Sequence, residues 1–428
     1  MKEGIQKIKL ILQDSHLKKK LYFTFFIFFV FRIFAFLPVP VIDLVKLRIL
    51  FTQNQFLSLL NIFSGGTLIN FSVMALGLNP YINASIILQL LTVVFPQLEQ
   101  LSKEGEYGRF KLNQYTRLLT LPLAVVQAAG MYVLLLNQKI VFSLSLLEFI
   151  SFILTITAGT FILVWLGELI SEYGLGNGIS LLIFAGIVSR LPVVIFQTAV
   201  VFNYEMIFNL LIFVIVALLV IASVVYVNES VRKIPIYYAK RIHGNRMYQA
   251  QTNYLPLKIN QAGVIPIIFA VSFVLFPQLL GNFFQYSKVK LISTIAVFLL
   301  KLFNPSGFFY NFFYFLLVIG FTFFYTIIIF NPQKIAEEVQ KYGGFIPGIR
   351  PGLATKQYLE KVLYRITSAG AIFLGIVAII PAVISKITNF QNLVIGGTSV
   401  LIVVSVILET FKMIEGQLAM KSYDRFIK

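Results

Sequence analysis

Long apolar runs separated by short polar breaks dominate the chain. Ten of them approach the ~20 residues that a helix needs to cross a bilayer. They lie at 21–37, 75–95, 118–137, 149–170, 178–198, 206–228, 259–281, 310–331, 362–385 and 395–412. A further stretch, Leu291 to Phe303, is apolar but too short to span and contains Lys301, so it belongs at the interface or in an external loop. The pattern predicts an all-α polytopic membrane protein of about ten transmembrane helices. The first run lacks a small-residue cleavage site and is followed by further spans, which makes it a retained helix and not a signal peptide. Ten spans divide into two five-helix halves, 21–198 and 199–428. An odd number per half gives the halves opposite orientations, the arrangement of inverted repeats. Ahead of them, the leader 1–20 sets Ile5, Ile8 and Leu12 at helical spacing among lysines and reads as an amphipathic helix on the cytosolic surface.

Composition agrees. Of 428 residues, 58% are hydrophobic and only 12% charged, against about 25% charged in a soluble domain. The mean hydropathy is +0.87. A net charge of +18 with so few charged residues admits nucleic-acid binding, anionic lipid contact or topology as explanations. Topology accounts for it: with the N-terminus inside, the cations gather on one side. They are Lys2, Lys7, Lys9 and Lys18 to Lys20 in the leader, and Lys103, Arg109, Lys111 and Arg117 after the second span. The 229–258 loop adds Arg232, Lys233, Lys240, Arg241, Arg246 and Lys258, and the 332–361 loop adds Lys334, Lys341, Arg350, Lys356 and Lys361. The opposite side receives far fewer, among them Lys46, Arg48, Lys139, Lys288 and Lys386. Both termini are therefore expected in the cytosol. With no cysteine and only His16 and His243, disulfides and thiolate metal sites are excluded, and no cofactor is expected.

Four segments depart from plain membrane helix. Asn61-Ile62-Phe63-Ser64-Gly65-Gly66-Thr67-Leu68-Ile69-Asn70 is too polar for lipid and too apolar for an ordinary solvated loop. Such backbone at membrane depth is tolerated only inside protein or against a water-filled cavity. A movable cavity-filling segment and an external loop packed on helix ends both fit. The second span opens with Pro80, suited to a first helical turn. It then carries Ile82 and Ile86 on one face, where simple packing suffices to explain them. Glycines at 174, 176 and 178 lack the strand and Lys-Ser/Thr of a phosphate loop, and read as a tight turn between antiparallel helices. Glu168 and Glu172 nearby lie one turn apart near the interface. Finally, Gly343-Gly344-Phe345-Ile346-Pro347-Gly348-Ile349-Arg350-Pro351-Gly352 builds rigid turns that present Arg350 at a tip, as a docking loop requires.

Together these stretches resemble the SecY family, the central subunit of the protein-conducting channel. The match rests on LGLNPYINASIILQ ending at Gln89, WLGELISEYGLGNGISLLIFAG at 165–186, LPLKINQAGVIPII at 255–268, GGFIPGIRPG at 343–352 and GGTSVLIVV from Gly396. The resemblance implies a central pore. Its apolar ring would fall on Ile82, Ile86, Ile183, Ile187, Ile265, Ile268 and Ile402, which replaces packing as the reading of Ile82 and Ile86. It implies a plug over 61–72, with Asn61, Phe63, Ser64, Gly65, Gly66 and Thr67, and a lateral gate between the second and third spans and the seventh and eighth. The 229–258 and 332–361 loops would meet the ribosome or a SecA-like motor through Lys240, Arg241 and Arg350. SecE-like and SecG-like small membrane subunits, signal sequences, unfolded polypeptide and membrane lipid are the other implied partners. The tail at Gln417–Lys421 resembles cyanobacterial, plastid and some Gram-positive members. Heavy use of Phe, Ile, Lys, Asn and Tyr matches an AT-rich genome, so the thylakoid is the expected membrane and a bacterial plasma membrane the alternative. The rival function is an inverted-repeat secondary transporter for a small solute, which should place ionisable groups at the midplane. An enzyme is not expected.

Overall fold

The computed structural model describes residues 14–40, 42–47, 61, 64, 66–138, 140–193, 196, 207–238, 242–243, 246–247, 252–285, 289–305, 307–388 and 397–427. The first half opens with α1 (Ser15–Phe36), α2 (Asn79–Val94), α3 (Pro96–Lys103), α4 (Glu106–Asn137), α5 (Leu146–Tyr173) and α6 (Gly178–Val188). After α7 (Ile207–Glu229) come four strands, β1 (Val231–Tyr238), β2 (Ile242–His243), β3 (Arg246–Met247) and β4 (Thr252–Lys258). Then follow α8 (Ile265–Phe284), α9 (Lys290–Leu302), α10 (Phe308–Ile329), α11 (Pro332–Lys341), β5 (Gly344–Phe345), α12 (Leu353–Thr388) and α13 (Gly397–Ile427).

Each of the ten expected runs overlaps one of α1, α2, α4, α5, α6, α7, α8, α10, α12 and α13. Among the described residues, five helices are long and apolar enough to cross a membrane alone, and 178–193 and 214–229 form shorter apolar helices. Helices α2 and α3 together pass the same test but bend by 104° at their junction. Pro96 opens α3, and a proline cannot donate the amide that would continue α2. The 13-residue α9 spans about 20 Å at 1.5 Å per residue, too short to cross, as expected of the 291–303 stretch. Residues Ser15 to Lys20, placed in the leader by sequence, are the first turns of α1. Ile5, Ile8 and Leu12 lie outside the described residues.

Helix ends follow local chemistry. Ser145 and Glu148 form a reciprocal capping box on α5, Asn177 accepts from the Ser180 amide at the start of α6, and Asn331 caps α11 through the Lys334 amide. Contacts group the chain into two units, interleaved in sequence. One lies within Met1–Tyr204, Ser272–Tyr310 and Val406–Lys428, the other within Glu205–Val271 and Asn311–Ser405.

In the first unit, the α5–α6 turn is tight, as expected. Gly176 takes φ +73°, and a Cβ on Gly178 would fall on the Gly167 carbonyl oxygen. Ser171 Oγ donates to the Gly167 carbonyl within α5 at 3.0 Å and accepts from the Gly178 amide at 2.9 Å, which ties the start of α6 to α5. Thr24 Oγ1 of α1 accepts from the Leu175 amide at 3.2 Å. Glu168 pairs with Arg117 of α4 at 2.6 Å, a partly exposed bridge worth at most about 1 kcal/mol.

Candidate functional site

Between α1 and α2 the described residues of 64–78 form turns rather than helix, yet the centre of this segment is buried. Asn61, Ser64, Thr67, Leu68, Phe71, Ser72, Met74 and Ala75 are each at most 4% exposed. Its polar groups are satisfied from within, as burial demands. Asn61 Oδ1 accepts from the Ile69 amide at 3.0 Å, and its carbonyl from the Gly66 amide at 2.8 Å. Ser64 Oγ also donates to Asn61 O, and Thr67 Oγ1 donates to Ser64 O at 2.8 Å. The segment is tied to the end of α1, where the Val39 amide donates to Phe71 O and the Val73 amide to Leu37 O. In α5, Gly159 leaves the space of a Cβ to the Val73 carbonyl oxygen. Phe71 sits at φ +36°, its ring stacked on Phe152 at 5.9 Å. A bulky residue at positive φ carries strain of about 1–3 kcal/mol, which the surrounding contacts hold in place. Of the expected plug residues, Asn61, Ser64, Gly66 and Thr67 are thus brought into one compact knot; Phe63 and Gly65 lie outside the described residues.

The expected ring residues fall on four helices. Ile82 and Ile86 share a face of α2, and Ile183 and Ile187 share a face of α6, all within the first unit. Ile265 and Ile268 sit in the first turn of α8, and Ile402 lies on α13, within the second. Ile86, Ile183, Ile187 and Ile402 are buried, while Ile82, Ile265 and Ile268 are half-buried. The start of α8 is pinned by a polar cluster that sequence reasoning passed over. Asn260 Nδ2 donates to Asn228 Oδ1 at 2.9 Å and to the Gly263 carbonyl at 3.2 Å, while Asn228 Nδ2 donates to Ser405 Oγ at 3.0 Å. Its only sequence signal was an asparagine inside an otherwise apolar stretch.

The two basic loops, read from sequence as separate turn-rich segments, form one body. Strand β1 pairs antiparallel with β4 from Val231↔Lys258 to Tyr237↔Thr252, and with β5 of the second loop at Tyr237↔Phe345 and Tyr238↔Gly344. Side chains alternate on a strand, so Ile234 and Ile236 turn inward while Tyr237 turns out and stacks on Phe345 at 6.2 Å. Beneath lies a core of Ile234, Ile236, Leu257, Phe330, Val339, Ile346, Leu359 and Leu363, drawn from both loops and the ends of α10 and α12. Gly343, Gly348 and Gly352 take positive φ, and the Ile349 amide closes a turn onto Ile346 O, leaving Arg350 exposed at the tip as expected. Arg232 and Lys233 are exposed on β1. Lys240 and Arg241 lie outside the described residues.

No group of metal-ligating side chains occurs among the described residues. The ion pairs Lys46–Asp43, Lys103–Glu99, Arg117–Glu168 and Lys356–Glu360 are all partly exposed. What the site offers chemically is apolar faces, a buried polar knot and a rigid basic platform.

Comparison with known proteins gives this arrangement a context. The SecY family profile matches residues 72–411. The chain is 42% identical over 437 residues to the protein translocase subunit SecY of Aquifex aeolicus, covering 98% of this chain and 99% of that one. It is 41% identical over 447 residues to the subunit of the same name from Mycobacterium tuberculosis, covering 97% and 98%. Among solved structures it is similar to one described as a protein-conducting channel (TM-score 0.62, 22% identity, 94% and 93% covered). It is also similar to Sec61 in the canine ribosome-channel complex from the endoplasmic reticulum (TM-score 0.60, 21% identity, 94% and 93% covered).

Proposed function

The chain belongs to the SecY family of protein translocase subunits, and from that premise we propose how its parts divide the work. It is a multi-pass integral membrane protein and a protein-conducting channel subunit, not an enzyme and not the small-solute transporter weighed above. In our reading the two five-helix halves, 21–198 and 199–428, enclose a pore ringed by Ile82, Ile86, Ile183, Ile187, Ile265, Ile268 and Ile402. An apolar constriction resists ions because they would have to shed hydration there, whereas a flexible chain can push side chains aside. Residues 61–72 act as the plug. The observation that carries this is the combination of burial, internal hydrogen bonding and a strained Phe71: a knot that pairs Asn61, Ser64 and Thr67 internally keeps those bonds when its ties to the end of α1 break. Apolar segments of the substrate leave sideways into lipid between α2 and α4 on one side and α8 and α10 on the other.

The test is electrical. Ile86→Asp or Ile402→Asp puts a hydrated carboxylate in the ring and should raise resting ion conductance in planar bilayers. Unchanged conductance in both would sink the ring assignment.

The chain carries no nucleotide-binding motif, so a partner supplies the drive. Lys240, Arg241 and Arg350 on the basic loops are the proposed grip, for ribosomal RNA or for an acidic face of a SecA-like motor. SecE-like and SecG-like subunits are its proposed membrane companions. Both termini are cytosolic or stromal by the distribution of Lys and Arg. AT-rich residue usage and the tail favour a thylakoid membrane, with a bacterial plasma membrane second.

A further inference from the structure

Two arginines stand outside the machinery described so far. Arg32 lies in the last turns of α1, which ends at Phe36, and Arg190 follows the end of α6. Both are half-buried. Arg32 Nη1 donates to Ser189 Oγ at 2.9 Å, and its guanidinium sits 4.9 Å from the centre of the Phe36 ring. Ser189 is itself fixed: its hydroxyl donates to Gly186 O at 2.7 Å and its amide to Ala185 O at 3.0 Å. Arg190 runs alongside Gly66, with Nε 3.2 Å from the point a Cβ there would occupy. Arg32 reaches Ser189, the residue before Arg190, so the two like charges converge on the end of α6. Among the described residues neither meets a carboxylate.

Arginine cannot relieve this repulsion by losing its proton. The C-terminal carbonyls of α6 supply an opposing charge there, worth roughly half an elementary charge. An excess of about one and a half positive charges is left in a partly desolvated place. One phosphodiester anion cancels most of that excess, and its oxygens suit the fork of guanidinium N–H donors. The surroundings name its source. Phe29, Ile33 and Phe36 flank Arg32 on α1 and are 64%, 48% and 59% exposed, an apolar surface that in a membrane protein faces acyl chains.

The geometry points to a binding site for the phosphodiester of a membrane phospholipid, held between Arg32 and Arg190 at the end of α1 remote from Lys18, Lys19 and Lys20. Because Arg190 also covers Gly66, the bound headgroup keeps that side chain over the 61–72 segment. This last consequence rests on the plug reading; the site itself does not.

The full chain, purified with its membrane partners, should retain phosphatidylglycerol in native mass spectrometry. A phosphatidylglycerol carrying a photoactivatable headgroup should label peptides containing Arg32 and Arg190 in the unmodified protein. Arg32→Gln and Arg190→Gln should each weaken phosphatidylglycerol binding about tenfold or more, while Lys103→Gln on α3 changes nothing. Arg190→Lys, which keeps charge but loses the fork, should fall between. Labelling elsewhere, or equal binding by all variants, overturns the proposal. If inorganic phosphate occupies the site as tightly as the lipid, the anion site stands and the lipid source is overturned.

Discussion

A single methyl group measures how closely α5 and α6 pass. At Gly178 the added carbon would stand 1.8 Å from the Gly167 carbonyl oxygen, a backbone atom that no rotamer change can move. Gly178→Ala must therefore part the helices and break the hydrogen bond from the Gly178 amide to Ser171 Oγ, at a cost of about 1–3 kcal/mol from overpacking alone. Gly416 is the internal control. Nothing lies within 4 Å of its Cβ position on α13, so Gly416→Ala should be neutral or gain up to about 1 kcal/mol from helix propensity. Thermal unfolding in detergent compares them: a lowered midpoint for Gly178→Ala alone is expected, and equal midpoints would show a loosely packed turn. The glycine cluster was legible as a tight turn, because glycine is the residue such turns need. Which glycine admits no side chain was not legible, since that depends on a carbonyl eleven positions away across a helix pair.

Helices of this chain were readable because lipid imposes a length and a polarity on them, and both are written locally. Their polar extensions were not. Helix α4 begins at Glu106 and α12 at Leu353, whereas the apolar runs begin at 118 and 362, because hydropathy reports only the part that contacts apolar surroundings. The sheet escaped for a different reason. Strand β1 carries its inward Ile234 and Ile236 amid Arg232, Lys233 and Pro235, which disguise a strand as a basic loop. Its second partner, β5, is two residues long and more than a hundred positions away. Gly344 is the joint. A Cβ there would stand 3.0 to 3.2 Å from Tyr238, Ile236 and Val339, so Gly344→Val forces β5 off β1 and opens the shared core. Hydrogen exchange should then rise together at Tyr237 and Tyr238 and along α11, with α4 and α5 unchanged. A rise confined to 344–345 would mean that the two loops hold their structure independently.

At the scale of the whole molecule, sealing and driving are assigned to different chemistry, apolar faces for the first and exposed cations on a rigid platform for the second. That separation can be measured. Arg350 is exposed and engages the rest of the platform through its backbone carbonyl, which accepts from Thr355 Oγ1 at 3.0 Å. Reversing its charge should therefore change stability by no more than about 0.5 kcal/mol, the usual range for surface substitutions. Arg350→Glu should slow partner-driven translocation, and more so at low salt, because charge attraction between surfaces is screened as ionic strength rises. It should leave resting conductance at the wild-type value. Ile86→Asp should do the reverse, leaking at rest while binding the partner normally. Independent sites add, within about 0.3–0.5 kcal/mol, so the double variant should show the leak of one and the slowed, less salt-sensitive drive of the other. A leak from Arg350→Glu alone would mean that the platform helps to hold the pore shut, and the division of labour proposed here would fail.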